Sequence, residues 1–279
     1  MRGEKLSPPA QPCGGQNGAC PPAGLPAVRP SHRWYLPCKR AAEFIVALVL
    51  LVLTAPLIAV AALLIRLTSR GPVFYSQVRL GRFGRLYRVY KLRTMHHNCE
   101  KVSGPQWCSG RNDPRVTRVG RFLRRSHIDE LPQLWNVLVG DMSLIGPRPE
   151  RPEFLPGLEA AMAHYRDRLL VRPGLTGLAQ VQLPADTDLR SVRRKLAYDL
   201  YYVRRVSPWL DLRIAFCTVL YLLGLPYGVM PRLFLLPRRA VVEHSYLRAV
   251  QSGGAAALLP PALALAPPLC APADLATGT

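Results

Sequence analysis

Acidic residues are scarce in this sequence. Only 17 Asp and Glu stand against 37 Lys and Arg, and two of the acids, Asp129 and Glu130, are adjacent. Arg111, Arg115, Arg118, Arg121, Arg124 and Arg125 lie just upstream. Carboxylates among arginines suit phosphoryl chemistry, because guanidinium groups pair with phosphate oxygens through forked hydrogen bonds. A carboxylate can attack phosphorus to give an acyl phosphate, dividing one transfer into two. A second carboxylate can hold a divalent cation that bridges phosphates. A competing reading stands beside this one: Ser126-x-x-Asp129 has the spacing of a capping box, which would make Asp129 a helix cap. Pro132 argues against it, since that residue would then fall inside the helix.

Downstream, Arg148 sits between Pro147 and Pro149. The fixed φ angles of the two prolines hold its guanidinium in one direction at low entropic cost, which suits an anion or a uracil edge. An ordinary proline-rich turn with a surface arginine has the same sequence. Pro173-Gly174-Leu175-Thr176-Gly177 reads as a tight turn whose amides could also cradle a phosphate. There is no GxGxxG or Walker A pattern, so a nucleotide is not held in either of those ways. His96, His97, Cys99 and Cys108 match no standard zinc spacing and read as a loop.

The elements that must position these residues begin with an uncharged run, Phe44 to Ile65, long enough to cross a bilayer as a helix. Pro56 lies near its centre, where it removes a backbone hydrogen bond and kinks the helix. Lys39 and Arg40 precede the run, and Arg66 and Arg70 follow it. With cations at both ends the positive-inside rule chooses no orientation, so a spanning helix and a re-entrant one that returns to the same face are both open. Two β-prone runs around Gly81-Arg82-Phe83-Gly84 predict a β-hairpin. Val119, Phe122 and Leu123, then Leu131, Leu134, Trp135 and Leu138, have helical spacing, so two short helices meet near Asp129. Leu189, Val192, Leu196, Leu200 and Val203 mark an amphipathic helix. Ser207-Pro208 starts a further apolar helix ending near Gly224, either core or membrane-interfacial.

The net charge of +20 asks for an anionic partner: nucleic acid, an anionic membrane or phosphorylated small molecules. Seven cysteines without a CxxC pair do not make a disulfide framework and fit a reducing compartment. The first 33 residues, rich in Pro, Gly and Ala, read as a disordered tail without the apolar core of a secretory signal. From Gln251 onward the chain is low-complexity Ala, Leu and Pro.

In order and spacing, KRAAEF, GPVFYSQVRLG, YKLRTM, DPRVTRVGRFLRRSHIDELPQLWNVLVGDMSLIGPRP, RPGLTGLAQV and YDLYYVRRVSPWLDL resemble the bacterial sugar transferase family, the monotopic polyprenyl-phosphate phosphoglycosyl transferases of capsule, exopolysaccharide and glycoprotein assembly. The likeness runs from about Lys39 to Gly224. It implies an α+β fold, predominantly α-helical with a short β-hairpin, carrying a re-entrant membrane helix and interfacial amphipathic helices. It implies that Asp129 attacks the β-phosphate of a UDP-sugar, expels UMP and becomes a phosphosugar ester, which polyprenyl phosphate then attacks. Glu130 would bind Mg²⁺, Arg124 would contact phosphate, and Arg148, framed by Pro147 and Pro149, would hold the uridine or pyrophosphate. Pro56 would kink the re-entrant helix. The site would face the cytoplasm at the bacterial inner membrane, with membrane lipids and other glycan-assembly enzymes as neighbours and no nucleic acid.

On this reading the chain divides into a tail (1–33), a membrane-inserted helix (34–70), a catalytic domain (71–235) and a second tail (236–279), the minimal catalytic form of the family. Two positions depart from the pattern. Ala55 stands where many relatives have Ser before the kinking Pro, leaving Thr54 as the candidate support. Gln182-Leu183-Pro184 replaces the Asn-Gly-Arg that often follows AQV, with Arg190 or Arg193 as candidate substitutes. Two other functions remain open: a membrane-tethered nucleic-acid-binding protein, prompted by the charge, and a non-catalytic scaffold, against which the intact Asp129-Glu130 pair argues.

Overall fold

A computed structural model describes residues 34–99, 113–184, 188–224 and 233–252. The fold is mostly helical. α1 (Tyr35–Thr68) leads into a hairpin of β1 (Phe74–Leu80) and β2 (Leu86–Leu92), as the two β-prone runs predict. α2 (Arg118–Arg125) and α3 (Gln133–Val139) flank a short 3-10 turn at Ile128–Glu130. β3 (Ser143–Ile145), α4 (Leu155–Ala161), β4 (Gly174–Thr176) and α5 (Leu178–Gln182) follow. The long α6 (Leu189–Arg205) and α7 (Pro208–Leu222) come next, and α8 (Arg239–Ser252) closes the described chain.

Helix boundaries follow their side chains. Asp188 and Ser191 form a reciprocal capping box on α6. Ser207 caps α7 with Pro208 in the first turn, and Gly224 takes the left-handed conformation just past its end. The main core gathers around α6: Leu196, Leu200 and Val203 pack with Ile214 and Cys217 of α7 and Val242 and Tyr246 of α8. α8 lies within the stretch that composition assigns to the second tail. Its Val242, Tyr246 and Ala249 are buried, while residues 253–279 and the first tail lie outside the described residues.

α1 meets the rest of the protein along one stripe. Lys39, Glu43, Ala47, Leu51, Thr54, Ile58, Ala61 and Ile65 recur every three or four residues and are shielded, as are Tyr35, Leu36 and Ala62 beside them. Ala47 and Leu51 join a cluster with Tyr87, Val89, Leu134 and Val137, and Ala61 and Ile65 join one with Leu92 and Leu123. From Lys39 to Ile65 the stripe covers about 39 Å at 1.5 Å per residue. The other faces, including Ile45, Val52, Leu53, Val60 and Leu63, are exposed. The helix runs unbroken through Pro56. Pro56 leaves the Val52 carbonyl without an amide donor. The Thr54 hydroxyl bonds the Leu50 carbonyl at 2.7 Å and so does not replace that donor.

Lys39, read from sequence as a flanking charge, is buried. Its ammonium donates to the Ile145 carbonyl, the Tyr202 hydroxyl and Asp211 Oδ2, each at 2.7 Å. Glu43, one turn on, accepts from the Ser143 hydroxyl and the Ile145 amide. The base of α1 is thus bonded to both ends of β3 and to α7. α7 itself is two-faced: Leu210, Ile214 and Cys217 are core, while Trp209, Leu212, Phe216 and Val219 are exposed.

Candidate active site

The acidic pair lies on the 3-10 turn between α2 and α3. α2 ends where the Ser126 hydroxyl bonds back to the Phe122 and Leu123 carbonyls. Ser126 therefore caps nothing ahead of it, and the capping-box reading of Asp129 does not hold. His127 takes a left-handed conformation (φ 56°), which reverses the chain. Ile128 then packs into the cluster around Ile65 and Leu131 into the cluster around Ala47, so the two carboxylates lie between two apolar anchors. Pro132 precedes α3 and does not interrupt it.

Glu130 is clamped. Its Oε1 accepts from Lys91 Nζ at 2.6 Å and from Arg148 Nη2 at 2.8 Å. Burial by itself would raise the Glu130 carboxyl, but the charges and hydrogen bonds of Arg148 and Lys91 outweigh it and hold the group well below the usual carboxylate range. Oε2 has no hydrogen-bond partner among the described residues.

Asp129 is the opposite case. The residue is 7% exposed, and among the described residues its carboxylate makes no hydrogen bond or ion pair. Burial and the adjacent Glu130 push its carboxyl up to about 6, against the pull of Lys91, Arg124 and Arg148. One carboxylate is locked and ionised, and its neighbour is unbonded and poised near neutrality. Divergent environments of this kind mark different chemical roles.

Three elements aim the surrounding cations. Lys91 comes from the inner face of the hairpin, with Val89 and Tyr87, and the antiparallel register sets Arg79 on that same face. Arg124 is braced by a 2.8 Å bond from its Nε to the Thr94 hydroxyl. Arg148 projects from the Gly146–Pro149 loop, whose main chain is held at every carbonyl from Pro147 to Glu150. Those carbonyls accept, in turn, from the Gly174 amide (2.8 Å), Arg168 Nη2 (2.8 Å), Arg79 Nη1 (3.2 Å) and the Leu80 amide (2.9 Å). A Cβ on Gly146 would lie 2.4 Å from the Arg172 carbonyl oxygen, so this approach requires glycine.

Residues 173–177 are not the tight turn that their composition predicts. Gly174–Thr176 is a strand paired in parallel with β3, and the Gly174 amide is taken by Pro147. It braces the Arg148 loop and is not available to a phosphate. The structure brings Asp129, Glu130 and Arg148 together, and the charge of Arg124 reaches Asp129. Arg118, Arg121 and Arg125 are exposed on α2, Arg115 pairs with Asp113, and Arg111 lies outside the described residues. Pro147 and Pro149 shape the loop, and Pro56 sits on the exposed face of α1. Arg193 stacks over Tyr246 of α8 and Arg190 is exposed beside the Asp188 cap, so neither joins the acidic pair.

Sequence reasoning missed Lys91. The available signal was a lysine in step with the buried Tyr87 and Val89 of a strand, which demands an acidic partner. It also missed that many arginines are internal struts. Arg79, Arg82, Arg93, Arg168, Arg204 and Arg213 all donate to main-chain carbonyls, which accounts for part of the large positive charge without an external partner.

For a divalent cation, the fit rests on Glu130 Oε2 and the unbonded Asp129 carboxylate. Among the described residues no group of three His, Cys, Asp or Glu side chains converges. Mg²⁺ characteristically takes one or two carboxylates and completes its shell with water and substrate phosphates, so this sparse donor set fits it. His96 and His97 are exposed, and Cys108 lies outside the described residues.

The sequence profile of the bacterial sugar transferase family matches residues 34–224. The chain is 44% identical over 199 residues to the undecaprenyl-phosphate glucose phosphotransferase of Komagataeibacter xylinus, covering 68% of this chain and 37% of that protein. It is 44% identical over 181 residues to the UDP-N-acetylgalactosamine-undecaprenyl-phosphate N-acetylgalactosaminephosphotransferase of Aeromonas hydrophila, covering 65% and 42%. It is 46% identical over 184 residues to the UDP-glucose:undecaprenyl-phosphate glucose-1-phosphate transferase of Caulobacter vibrioides, covering 65% and 68%. The match thus spans about two fifths of the length of the first two relatives.

Proposed function

The chain belongs to the bacterial sugar transferase family, and on that premise we propose that it moves a sugar 1-phosphate from a UDP-sugar to undecaprenyl phosphate through a covalent intermediate on Asp129. The observation that carries this reading is the unbonded, buried Asp129 carboxylate beside a Glu130 locked by Lys91 and Arg148. In the first step an Asp129 oxygen attacks the β-phosphorus of the donor. A P–O bond forms to the aspartate, the bond to the bridging oxygen breaks, and UMP leaves with that oxygen and its electron pair. In the second step a phosphate oxygen of undecaprenyl phosphate attacks the same phosphorus and the Asp129 carboxylate departs, giving an undecaprenyl-diphospho-sugar.

The protein's own groups do the positioning that phosphoryl transfer chiefly requires. Arg124 and Arg148 face the phosphates, and Lys91 keeps Glu130 ionised and directed. Mg²⁺, held by Glu130 with Asp129 beside it, would neutralise charge on the pyrophosphate. A glucose and an N-acetylgalactosamine transferase are equally identical to this chain, so overall identity does not single out the donor sugar. Transfer of this kind opens the assembly of a membrane-borne exopolysaccharide, capsule or related glycan.

The stripe on α1 supports a membrane course. Both ends of the helix, from Lys39 to Ile65, pack on one body, so that body and both helix ends belong on one side of the bilayer. We read α1 as re-entrant and bent at Pro56 without a break in the helix, the exposed face of α7 as interfacial, and the site as lying at the cytoplasmic face of the inner membrane. The domain limits 34–70 and 71–235 go with this reading, except that α8 packs on the second of these and extends it to Ser252.

The test is UMP release by the full chain in membranes with Mg²⁺, undecaprenyl phosphate and a panel of UDP-sugars, beside Asp129→Asn. Release with one donor, together with a radiolabelled sugar phosphate bound covalently to the unaltered protein alone, is the expected result. Normal turnover by the variant sinks the nucleophile assignment. Silence of a folded, membrane-bound protein across the panel favours the scaffold.

A further inference from the structure

The Arg168 side chain, on the 3-10 segment Tyr165–Leu170, is only 8% exposed and cannot touch a substrate. Its Nη2 donates to the Arg148 carbonyl at 2.8 Å and lies 2.7 Å from Asp199 Oδ2 of α6. Its Nη1 donates to the Tyr165 hydroxyl at 2.6 Å and lies 4.0 Å from Glu150 Oε2. A guanidinium buried this deeply carries a large desolvation cost and needs an ionic partner, which Asp199 supplies. The pair therefore sits in the core with one nitrogen directed at the main chain of the residue that grips Glu130.

We propose that Arg168 is a positioning residue: with Asp199 it holds the Arg148 main chain, and through it the direction in which Arg148 meets the donor. Arg148 is then restrained at both ends, by Glu130 at the guanidinium and by Arg168 at the carbonyl. Pro147 and Pro149 fix their own φ, and Pro149 confines Arg148 to extended ψ; the Arg168 bond pins the Arg148 carbonyl within the range that remains. The inference rests on the reading that Arg148 holds the donor's diphosphate.

The experiment measures UDP affinity by calorimetry on the full, detergent-solubilised chain for the unaltered protein, Arg168→Met, Arg148→Met and the double variant. Thermal midpoints are taken beside each. A residue acting through Arg148 lowers UDP affinity about tenfold alone, the scale of one lost charge-assisted hydrogen bond, and adds nothing in the Arg148→Met background. Unchanged UDP affinity in Arg168→Met, or an independent loss on top of Arg148→Met, overturns the proposal. If Arg168→Met fails to fold because Asp199 is left unpaired, Arg168→Met with Asp199→Leu removes both charges and is judged by the same criterion. Failure of the unaltered protein to bind UDP overturns the donor reading, and this proposal with it. Full binding by the unaltered protein and Arg168→Met alike overturns this proposal alone.

Discussion

Lys91 of the hairpin and Glu130 of the α2–α3 turn form a 2.6 Å ion pair, with Arg148 on the same carboxylate oxygen. Three segments distant in sequence therefore converge on one atom, and the neighbouring Asp129 receives their charges without bonding to any of them. The electrostatic state of Asp129 is set by groups that hold its neighbour.

On the proposed mechanism the rate of the first half-reaction is expected to follow the ionisation of Asp129. Only the carboxylate attacks phosphorus, and its carboxyl is pushed up to about 6, so covalent sugar-phosphate formation falls as pH drops through about 6 and levels off above it. Removing the negative Glu130 by Glu130→Gln moves the midpoint down, and removing the positive Lys91 by Lys91→Met moves it up. Single-turnover UMP release against pH checks all three profiles.

The raised Asp129 carboxyl also has a thermodynamic sign. A carboxyl raised in the folded state binds its proton more tightly there than when unfolded, so ionising it costs stability as pH rises past its unfolded value. Asp129→Asn is expected to stabilise the protein at pH 7.5 by on the order of 2–3 kcal/mol, at about 1.4 kcal/mol for each tenfold difference in proton affinity, with the gain gone below about pH 4. Thermal unfolding of both proteins at the two pH values measures it. A variant that is dead and more stable separates function from folding at this residue.

Chelation tests the cation. EDTA is expected to abolish UMP release and Mg²⁺ to restore it, with Glu130→Gln needing more Mg²⁺ for half activity. Titration of Mg²⁺ into the stripped protein follows this, and activity unaffected by EDTA removes the metal from the reaction.

Lys39 is a stability residue on this structure. Lys39→Met leaves Asp211 buried without its cation and strips a donor from the Ile145 carbonyl, a loss of about 3–5 kcal/mol by analogy with other broken buried pairs. Thermal denaturation in nanodiscs reads it. Arg66, exposed at the far end of the same helix, is expected to tolerate Met with little change.

Much of this was legible in the sequence because it is local. The hairpin announced itself through β-prone runs around a glycine turn, α7 through Ser207-Pro208, and the acidic pair through its rarity among arginines. What stayed hidden depends on partners far along the chain. Gly174–Thr176 looks like a turn because its strand character comes from pairing with Ser143–Ile145. Lys39 looks like a membrane-flanking charge because its partner, Asp211, lies 172 residues further along the chain. Arg168 and Lys91 are invisible as struts, since one basic residue among 37 carries no mark of what it will face. α8 was obscured by the low-complexity run that follows it.

The stripe on α1 also bears on what can be cut away. Removing residues before Ser69 to obtain a soluble fragment would do more than delete an anchor. It would leave Asp211 and Tyr202 without their ammonium partner, open the clusters that Ala47 and Ile65 close, and loosen Ile128 and Leu131, the two anchors that hold the acidic turn. In this protein the hydrophobic helix is the backing of the acidic turn, and a water-soluble version needs a replacement for that backing.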